Sequence, residues 1–139
     1  ELSAKMQAAG FWVVGVTNQS GIARGYFPES EVMRMNERLI CETGVDAVYY
    51  CPHMGNDCNC RKPKTGMIDR ACGDFDIDLS NSWIVGDRAS DIQTGINAGI
   101  KTALVESGYG TERLEADVKP DYIFANLWAF AEFLKEERR

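Results

Sequence analysis

Three cysteines and the only histidine of the sequence lie within ten positions of one another, from Cys51 to Cys60. Side chains two positions apart in an extended segment lie on one face of it. Cys51 and His53 form one such pair, and Cys58 and Cys60 form a second pair. We expect the two pairs to face each other across the turn 54–57 and to hold Zn²⁺ as a tetrahedral structural ion. A metal loop of this kind constrains the path of the chain on both sides of it.

Two other interpretations of these cysteines remain open. The spacing C-x-H-x4-C-x-C is not that of a zinc finger, so the prediction depends on the clustering of the ligands. The cluster could instead be a chance run of buried or reactive thiols. A disulfide is disfavoured, because cysteines one residue apart bridge poorly and the rest of the chain does not resemble a secreted protein. Cys41 and Cys72 are predicted to be ordinary helix or core residues.

The composition favours one globular domain in a reducing cytoplasm. The 139 residues are 45% hydrophobic, which is normal for a domain with its own core. The net charge of -6 argues against binding to nucleic acid or to an anionic membrane. The sequence shows no apolar run of membrane-spanning length and no signal peptide. We therefore expect neither a nucleic-acid partner nor a membrane partner, and a monomer at full length.

Apolar runs alternate with helical patterns, which predicts an α/β fold with a parallel sheet and helices on both sides. The polar segment 17–27 is predicted as a loop, the segment 107–119 as a loop or a partly helical region, and Thr65 is predicted to cap a helix. Strands are predicted at 11–16, 45–50, 82–86, 102–105 and 121–124, and helices at 2–9, 28–41, 66–73, 91–98 and from 127 onward.

The first polar group follows the first predicted strand, at the edge where open α/β sheets bind their ligands. Thr17, Asn18, Gln19 and Ser20 provide a hydroxyl and backbone N–H groups that suit an anion. The structural alternative is a turn held by its own side-chain hydrogen bonds.

Two further polar groups follow later strands. Arg61 and Lys62 precede a predicted helix, and Pro63 favours an extended Lys62 whose ammonium can enter a cleft. Asp87 and Asp91 lie where a strand passes into a helix and form a candidate Mg²⁺ site. Alternatively, the basic pair is a solvated surface and the acids are helix caps. The coincidence of an anion site, a cation and a metal site at one sheet edge favours phosphoryl transfer.

Three segments together resemble the haloacid-dehalogenase-like (HAD) phosphatases: TNQSGIARG, the C-x-H…C-x-C-R-K-P loop, and IVGDRASDIQTGINAGIKTALV. Within that family they are similar to the zinc-loop branch of heptose bisphosphate and histidinol-phosphate phosphatases. The resemblance covers residues 11–105. It implies a three-layer α/β sandwich without a large cap domain, and Mg²⁺-dependent hydrolysis of a small phosphorylated substrate, a sugar phosphate, through a phosphoaspartate.

The resemblance also implies a role for each polar residue. Thr17 would hold the phosphoryl group, and Lys62 would neutralise its charge. Asp87 would bind Mg²⁺, with Asp91 supporting the metal site. The residues that would line the substrate loop or contact the substrate are Asn18, Gln19, Ser20, Arg61 and Arg88. The residues that match the structural zinc ligands are Cys51, His53, Cys58 and Cys60.

One motif of the family is missing from this sequence. The motif D-x-D-G-T/V supplies the aspartate nucleophile on the central strand, and the only similar run, 74–78, lacks the Gly-Thr and is predicted to be a solvated loop. We expect the nucleophile upstream of residue 1, so that residues 1–139 form an N-terminally incomplete and inactive domain with a zinc loop at 51–60. If the gene lacks the motif, the alternative is a non-catalytic zinc-stabilised module.

The resemblance favours the 7-phosphate of a heptose 1,7-bisphosphate as the substrate, because TNQSGIARGYF and KPKTGM are similar to that branch. The gap of four residues between His53 and Cys58 also suits the histidinol-phosphate enzymes, which remain the second candidate.

Overall fold

The computed structural model describes residues 2–19, 21–53, 58–106 and 118–137. Within these ranges the helices and strands follow the order that the sequence predicts. Most of the predicted loop 107–119 lies outside the described residues. The elements are α1 Leu2–Ala8, β1 Val14–Asn18, α2 Glu29–Thr43, β2 Ala47–Cys51, α3 Gly66–Asp74, β3 Trp83–Gly86, α4 Ala89–Ala98, β4 Lys101–Val105, β5 Tyr122–Phe124 and α5 Leu127–Glu137.

The strands form two parallel sheets rather than one continuous sheet. β1 pairs with β2, and β3, β4 and β5 pair in that order. A cleft with a volume of about 560 Å³ lies between β1 and β3, and apolar side chains of α3 and α5 complete its lining. No strand of the described ranges occupies this cleft, so a further strand could lie between β1 and β3. The parallel α/β fold with open sheet edges is confirmed.

β1 lies further along the chain than the apolar run 11–16 predicts. Val13 precedes the strand and exchanges hydrogen bonds with Asp46: its N–H donates to the carboxylate (2.7 Å), and the Asp46 N–H donates to its carbonyl (2.7 Å). The parallel register then continues until Asn18 lies opposite Cys51. Thr17 therefore belongs to a strand and not to a loop, because pairing with β2 determines where β1 ends.

The helix ends follow local chemistry with two corrections. α2 ends at Gly44, whose φ of 75° is in the left-handed region, as the sequence predicts. Thr65 occupies the N-cap position of α3 as predicted, but its hydroxyl donates to the Asp69 carboxylate (3.1 Å) and makes no capping hydrogen bond to the backbone. α4 begins at Ala89, two residues earlier than predicted, so Asp91 lies within its first turn.

Close packing fixes α4 on the second sheet. A Cβ added to Gly95 would lie 2.4 Å from Cγ2 of Ile84 on β3 and 2.5 Å from Cγ2 of Thr102 on β4. α5 covers β4 through Phe130 and Leu134, which are buried against Ala103. The amphipathic pattern of α5 is confirmed, although Leu127 at its start is exposed.

Gly95→Ala should destabilise the protein by about 1–3 kcal/mol, because the new methyl group must displace β-branched side chains of two strands. Urea unfolding measures the change in the free energy of unfolding. Gly73→Ala in α3 is the matched control: no atom lies within 4 Å of its added Cβ, and we expect a gain of roughly 0.5–1 kcal/mol. Equal stability of the two variants would show that α4 does not pack as described.

Candidate active site and metal centre

The carboxyl ends of β1, β2 and β3 bring the predicted site residues to one edge of the molecule. Thr17 and Asn18 end β1, Cys51 ends β2, and Asp87 directly follows β3. Lys62 lies in the segment between β2 and α3 and contacts both β1 and α4. Parallel pairing places the carboxyl ends of β1 and β2 at one edge of their sheet. The ion pair between Lys62 and Asp91 joins this edge to the turn that follows β3.

Hydrogen bonds hold Lys62 both at its backbone N–H and at its side-chain ammonium. Its backbone N–H donates to Oδ1 of Asn18 (3.0 Å). Its ammonium donates to Oδ1 of Asp91 (2.6 Å) and to the carbonyl oxygen of Val16 (3.3 Å). The two side chains of the ion pair are only 13% and 10% exposed. The positive charge is therefore fixed near the cleft, between β1 and the first turn of α4.

Asp91 uses both carboxylate oxygens within the protein. Oδ1 accepts from Lys62, and Oδ2 accepts from the backbone N–H of Arg88 (3.3 Å), which orients the turn that contains Asp87. A Cβ at position 86 would lie 2.2 Å from Oδ2 of Asp91, so Gly86 is what admits the carboxylate to the strand end. The pairing of Asp91 with Lys62 was missed by the sequence analysis. The glycine before Asp87 was the only local signal for this close approach.

The residues at the end of β1 that were predicted to bind an anion differ in part from that prediction. The Thr17 hydroxyl lies 3.4 Å from the Asn18 carbonyl, a weak contact for which a phosphoryl oxygen can compete. The Gln19 N–H was expected to face an anion, but it donates to the carbonyl of Cys51 (2.7 Å) because the strand pairing continues one residue further. Ser20 lies outside the described residues.

The two arginines lie beside this edge. Arg61 donates from Nη1 to the carbonyl of His53 (3.4 Å), so it lies against the cysteine and histidine cluster. Arg88 is exposed and lies between Asp87 and the first residue of α4, at the N-cap position. Their contacts with a substrate stay predictions.

The structure brings the four predicted zinc ligands together. The Sγ atom of Cys51 lies 3.4 Å from Nδ1 of His53 and 3.5 Å from Sγ of Cys58, and Nδ1 of His53 lies 3.3 Å from Sγ of Cys60. All four ligand atoms lie within 4.8 Å of one another. Tetrahedral ligands about 2.3 Å from zinc are about 3.8 Å apart, so the cluster fits this ion. The turn 54–57 lies outside the described residues.

The thiols of the cluster differ in acidity. Burial raises the pKa of Cys60 to about 12, and the neighbouring thiols of Cys51 and Cys58 contribute to the increase. Burial also acts to raise the pKa of Cys58, but hydrogen bonds from the backbone of Arg61 and Cys60 lower it to about 6. Mutual repulsion thus opposes full ionisation of the cluster, and a bound divalent cation would remove that repulsion.

The cluster belongs to the core beneath the site. Cys51 and Cys60 are buried together with Met67 and Ala71 of α3. The N–H of Gly66 donates to the carbonyl of Asn59 (2.8 Å), an approach so close that a Cβ at Gly66 would lie 2.2 Å from that oxygen. The metal loop and the start of α3 therefore hold the intervening Lys62 segment.

Two of the three acids in the run 74–78, Asp74 and Asp78, have structural partners. Asp74 accepts a hydrogen bond from the Tyr49 hydroxyl (2.5 Å), and Asp78 accepts from the N–H and the hydroxyl of Ser80.

All five cysteines of the chain are free thiols. Within the described residues, no helix is both long and apolar enough to cross a membrane.

Cys58→Ser should release zinc and lower the melting temperature, because a structural zinc site contributes roughly 10 kcal/mol or more to the folding of small modules. Metal analysis and thermal unfolding of the full-length protein measure both effects. Cys41→Ser, at an exposed position of α2, is the control and should retain both properties. Stoichiometric zinc and an unchanged melting temperature in Cys58→Ser would contradict the assignment.

Comparisons with known proteins agree with this architecture. Residues 59–130 match the family model described as HAD-hydrolase-like. The chain is 38% identical to the D-glycero-alpha-D-manno-heptose-1,7-bisphosphate 7-phosphatase of Campylobacter jejuni, over 99% of this chain and 79% of that protein. It is 42% identical to the D-glycero-beta-D-manno-heptose-1,7-bisphosphate 7-phosphatase of Pasteurella multocida, over 78% of this chain and 66% of the relative.

A solved structure extends the similarity to the fold. The D,D-heptose 1.7-bisphosphate phosphatase of B. bronchiseptica, solved in complex with magnesium and phosphate, superposes with a TM-score of 0.85 at 35% identity. The alignment covers 98% of this chain and 80% of that one. The resemblance drawn from the sequence is confirmed, and the chain belongs to the HAD-like hydrolase family.

Proposed function

We propose that the protein is a Mg²⁺-dependent phosphatase that removes the 7-phosphate of D-glycero-D-manno-heptose 1,7-bisphosphate. The main support for the proposal is the position of the Lys62 ammonium, which Asp91 and Val16 hold at the carboxyl end of β1. A fixed cation at this edge suits a transferring phosphoryl group, on which negative charge is spread over three oxygens. The names of the relatives support the choice of a heptose bisphosphate as the substrate.

In this proposal Lys62 and Thr17 act on the phosphoryl group directly. The ammonium stabilises its negative charge, and the Thr17 hydroxyl donates a hydrogen bond to one of its oxygens. Because both groups are held by the strand end before the substrate arrives, little reorganisation is needed during the reaction. Arg61 and Arg88 lie at the same edge and are proposed to contact the rest of the substrate.

Mg²⁺ fits the donor set at the end of β3. The Asp87 carboxylate is a hard oxygen ligand, and Mg²⁺ is commonly bound through one or two carboxylates together with water and substrate phosphate. Asp91 supports the site indirectly, because its own oxygens bind Lys62 and the Arg88 N–H. When bound, Mg²⁺ supplies further neutralisation of phosphate charge.

The phosphoryl acceptor is proposed to be an aspartate upstream of residue 1. Among the described residues, the carboxylates that lie in this site are Asp87, assigned to the metal, and Asp91, engaged by Lys62. The cleft between β1 and β3 has room for a strand that would carry the acceptor. Its carboxylate oxygen would attack phosphorus as the bond to the sugar oxygen breaks, and water would then hydrolyse the phosphoaspartate.

The proposal also covers the role of the zinc ion, the cellular location and the oligomeric state. We propose that the zinc ion is structural, since four protein ligands close its coordination sphere. None of the five cysteines forms a disulfide, which suits a reducing cytoplasm, where we place the enzyme. We expect a full-length monomer that acts on a small phosphorylated substrate.

The proposal is tested with the full-length protein and two substrates assayed side by side with Mg²⁺. We expect kcat/KM for the heptose 1,7-bisphosphate to exceed that for histidinol phosphate, with release of the 7-phosphate. Faster hydrolysis of histidinol phosphate would transfer the chain to the second candidate function. Absence of turnover with every phosphate ester would favour the non-catalytic zinc module.

Lys62→Ala should lower kcat by about 10²-fold or more, because the variant lacks the charge that stabilises the transferring phosphoryl group. Steady-state kinetics with saturating Mg²⁺ measures the loss. Lys135→Ala, at an exposed position of α5, is the matched control and should retain wild-type turnover. Near wild-type kcat in Lys62→Ala would show that the ammonium serves the ion pair with Asp91 and does not act on the phosphoryl group.

A further inference from the structure

The Asn18 side chain makes a contact that differs from its expected role. Sequence resemblance assigns Asn18 to the substrate loop, but its Oδ1 accepts a hydrogen bond from the backbone N–H of Lys62 (3.0 Å). The two residues are 44 positions apart, so this bond joins the last residue of β1 to a separate segment of the chain. The amide oxygen is therefore directed at the backbone of Lys62.

This bond is placed to control the start of the Lys62 side chain. The ammonium is already held by Asp91 and by the Val16 carbonyl. A flexible four-carbon stem separates the ammonium from the backbone, so two fixed ends define one path for the stem. If the hydrogen bond to Asn18 were removed, the backbone of Lys62 would lose one of the contacts that fix it to β1. A displacement of about 1 Å in a catalytic group can cost about 10²-fold in rate.

Asn18 also lies where the metal centre and the strand end meet. In the parallel register it lies opposite Cys51, one of the four cluster residues. The next residue, Gln19, donates its N–H to the Cys51 carbonyl (2.7 Å). The end of β1 is thus fixed by β2 on one side, which makes Asn18 a rigid support for Lys62.

We propose that Asn18 is a positioning residue for Lys62: its side-chain carbonyl fixes the backbone from which the ammonium reaches the phosphoryl group. The inference rests on the proposed phosphatase function and refines it. It moves Asn18 from the set of substrate contacts to the support of the catalytic cation. The effect of Asn18 on the reaction should therefore depend on the presence of the Lys62 side chain.

The test is a double-mutant cycle in the full-length enzyme. Asn18→Leu has a similar shape without an acceptor, and Asn18→Asp keeps an acceptor oxygen. We expect Asn18→Leu to lower kcat by about 10-fold or more with a smaller effect on KM, and Asn18→Asp to retain a higher kcat than Asn18→Leu. In the Lys62→Ala background, Asn18→Leu should have almost no further effect. A rise in KM by the same factor in both backgrounds would mean that Asn18 binds the substrate, and would overturn the proposal.

A second measurement does not require turnover. Amide hydrogen exchange should be slow at Lys62 in the wild type and in Asn18→Asp, and faster in Asn18→Leu. Equal exchange in wild type and Asn18→Leu would overturn the proposal whatever the kinetics. If the wild type hydrolyses no phosphate ester, the proposed function fails separately. The same cycle is then measured with inorganic phosphate by calorimetry, where additive losses of affinity would overturn the positioning role.

Discussion

The ion pair between Lys62 and Asp91 connects the two halves of the molecule at the candidate active site. Lys62 follows the metal loop and contacts β1, whereas Asp91 lies in α4, which packs on the second sheet. A mostly buried ion pair is stable only when its other hydrogen-bonding groups also find partners. The Val16 carbonyl meets this need for Lys62, and the Arg88 N–H meets it for Asp91. A further contact, from Nδ2 of Asn97 to the Pro63 carbonyl (2.9 Å), joins the same two segments.

The metal centre determines where this ion pair can form. Cys60 is the last residue of the cluster, and Lys62 follows two positions later. Cys51 and Cys60 are buried against α3, so the cluster is continuous with the core on which the site stands. A zinc ion would thus stabilise the fold and also fix the starting point of the Lys62 segment. In the proposed function, the structural role of the metal centre and the catalytic role of Lys62 are therefore coupled.

Local patterns predicted the features whose causes are local. Side chains at alternate positions revealed the cysteine and histidine cluster, and alternating apolar runs and helical segments revealed the parallel α/β fold. The end of β1 was missed because Thr17 and Asn18 are polar, while a partner strand 33 residues away extends their pairing. The partner of Asp91 was missed because Lys62 lies 29 positions earlier and meets it only in the folded chain. Tertiary pairing of this kind leaves no periodic signal in the sequence.

In the proposed function, the carboxyl ends of β1 and β3 form one phosphoryl site around Lys62. A crystal structure of the full-length protein with Mg²⁺ and inorganic phosphate tests this arrangement. We expect phosphate oxygens within hydrogen-bonding distance of the Lys62 ammonium and the Thr17 hydroxyl, and Mg²⁺ coordinated by Asp87. Phosphate bound away from Lys62, or Mg²⁺ bound without Asp87, would contradict it.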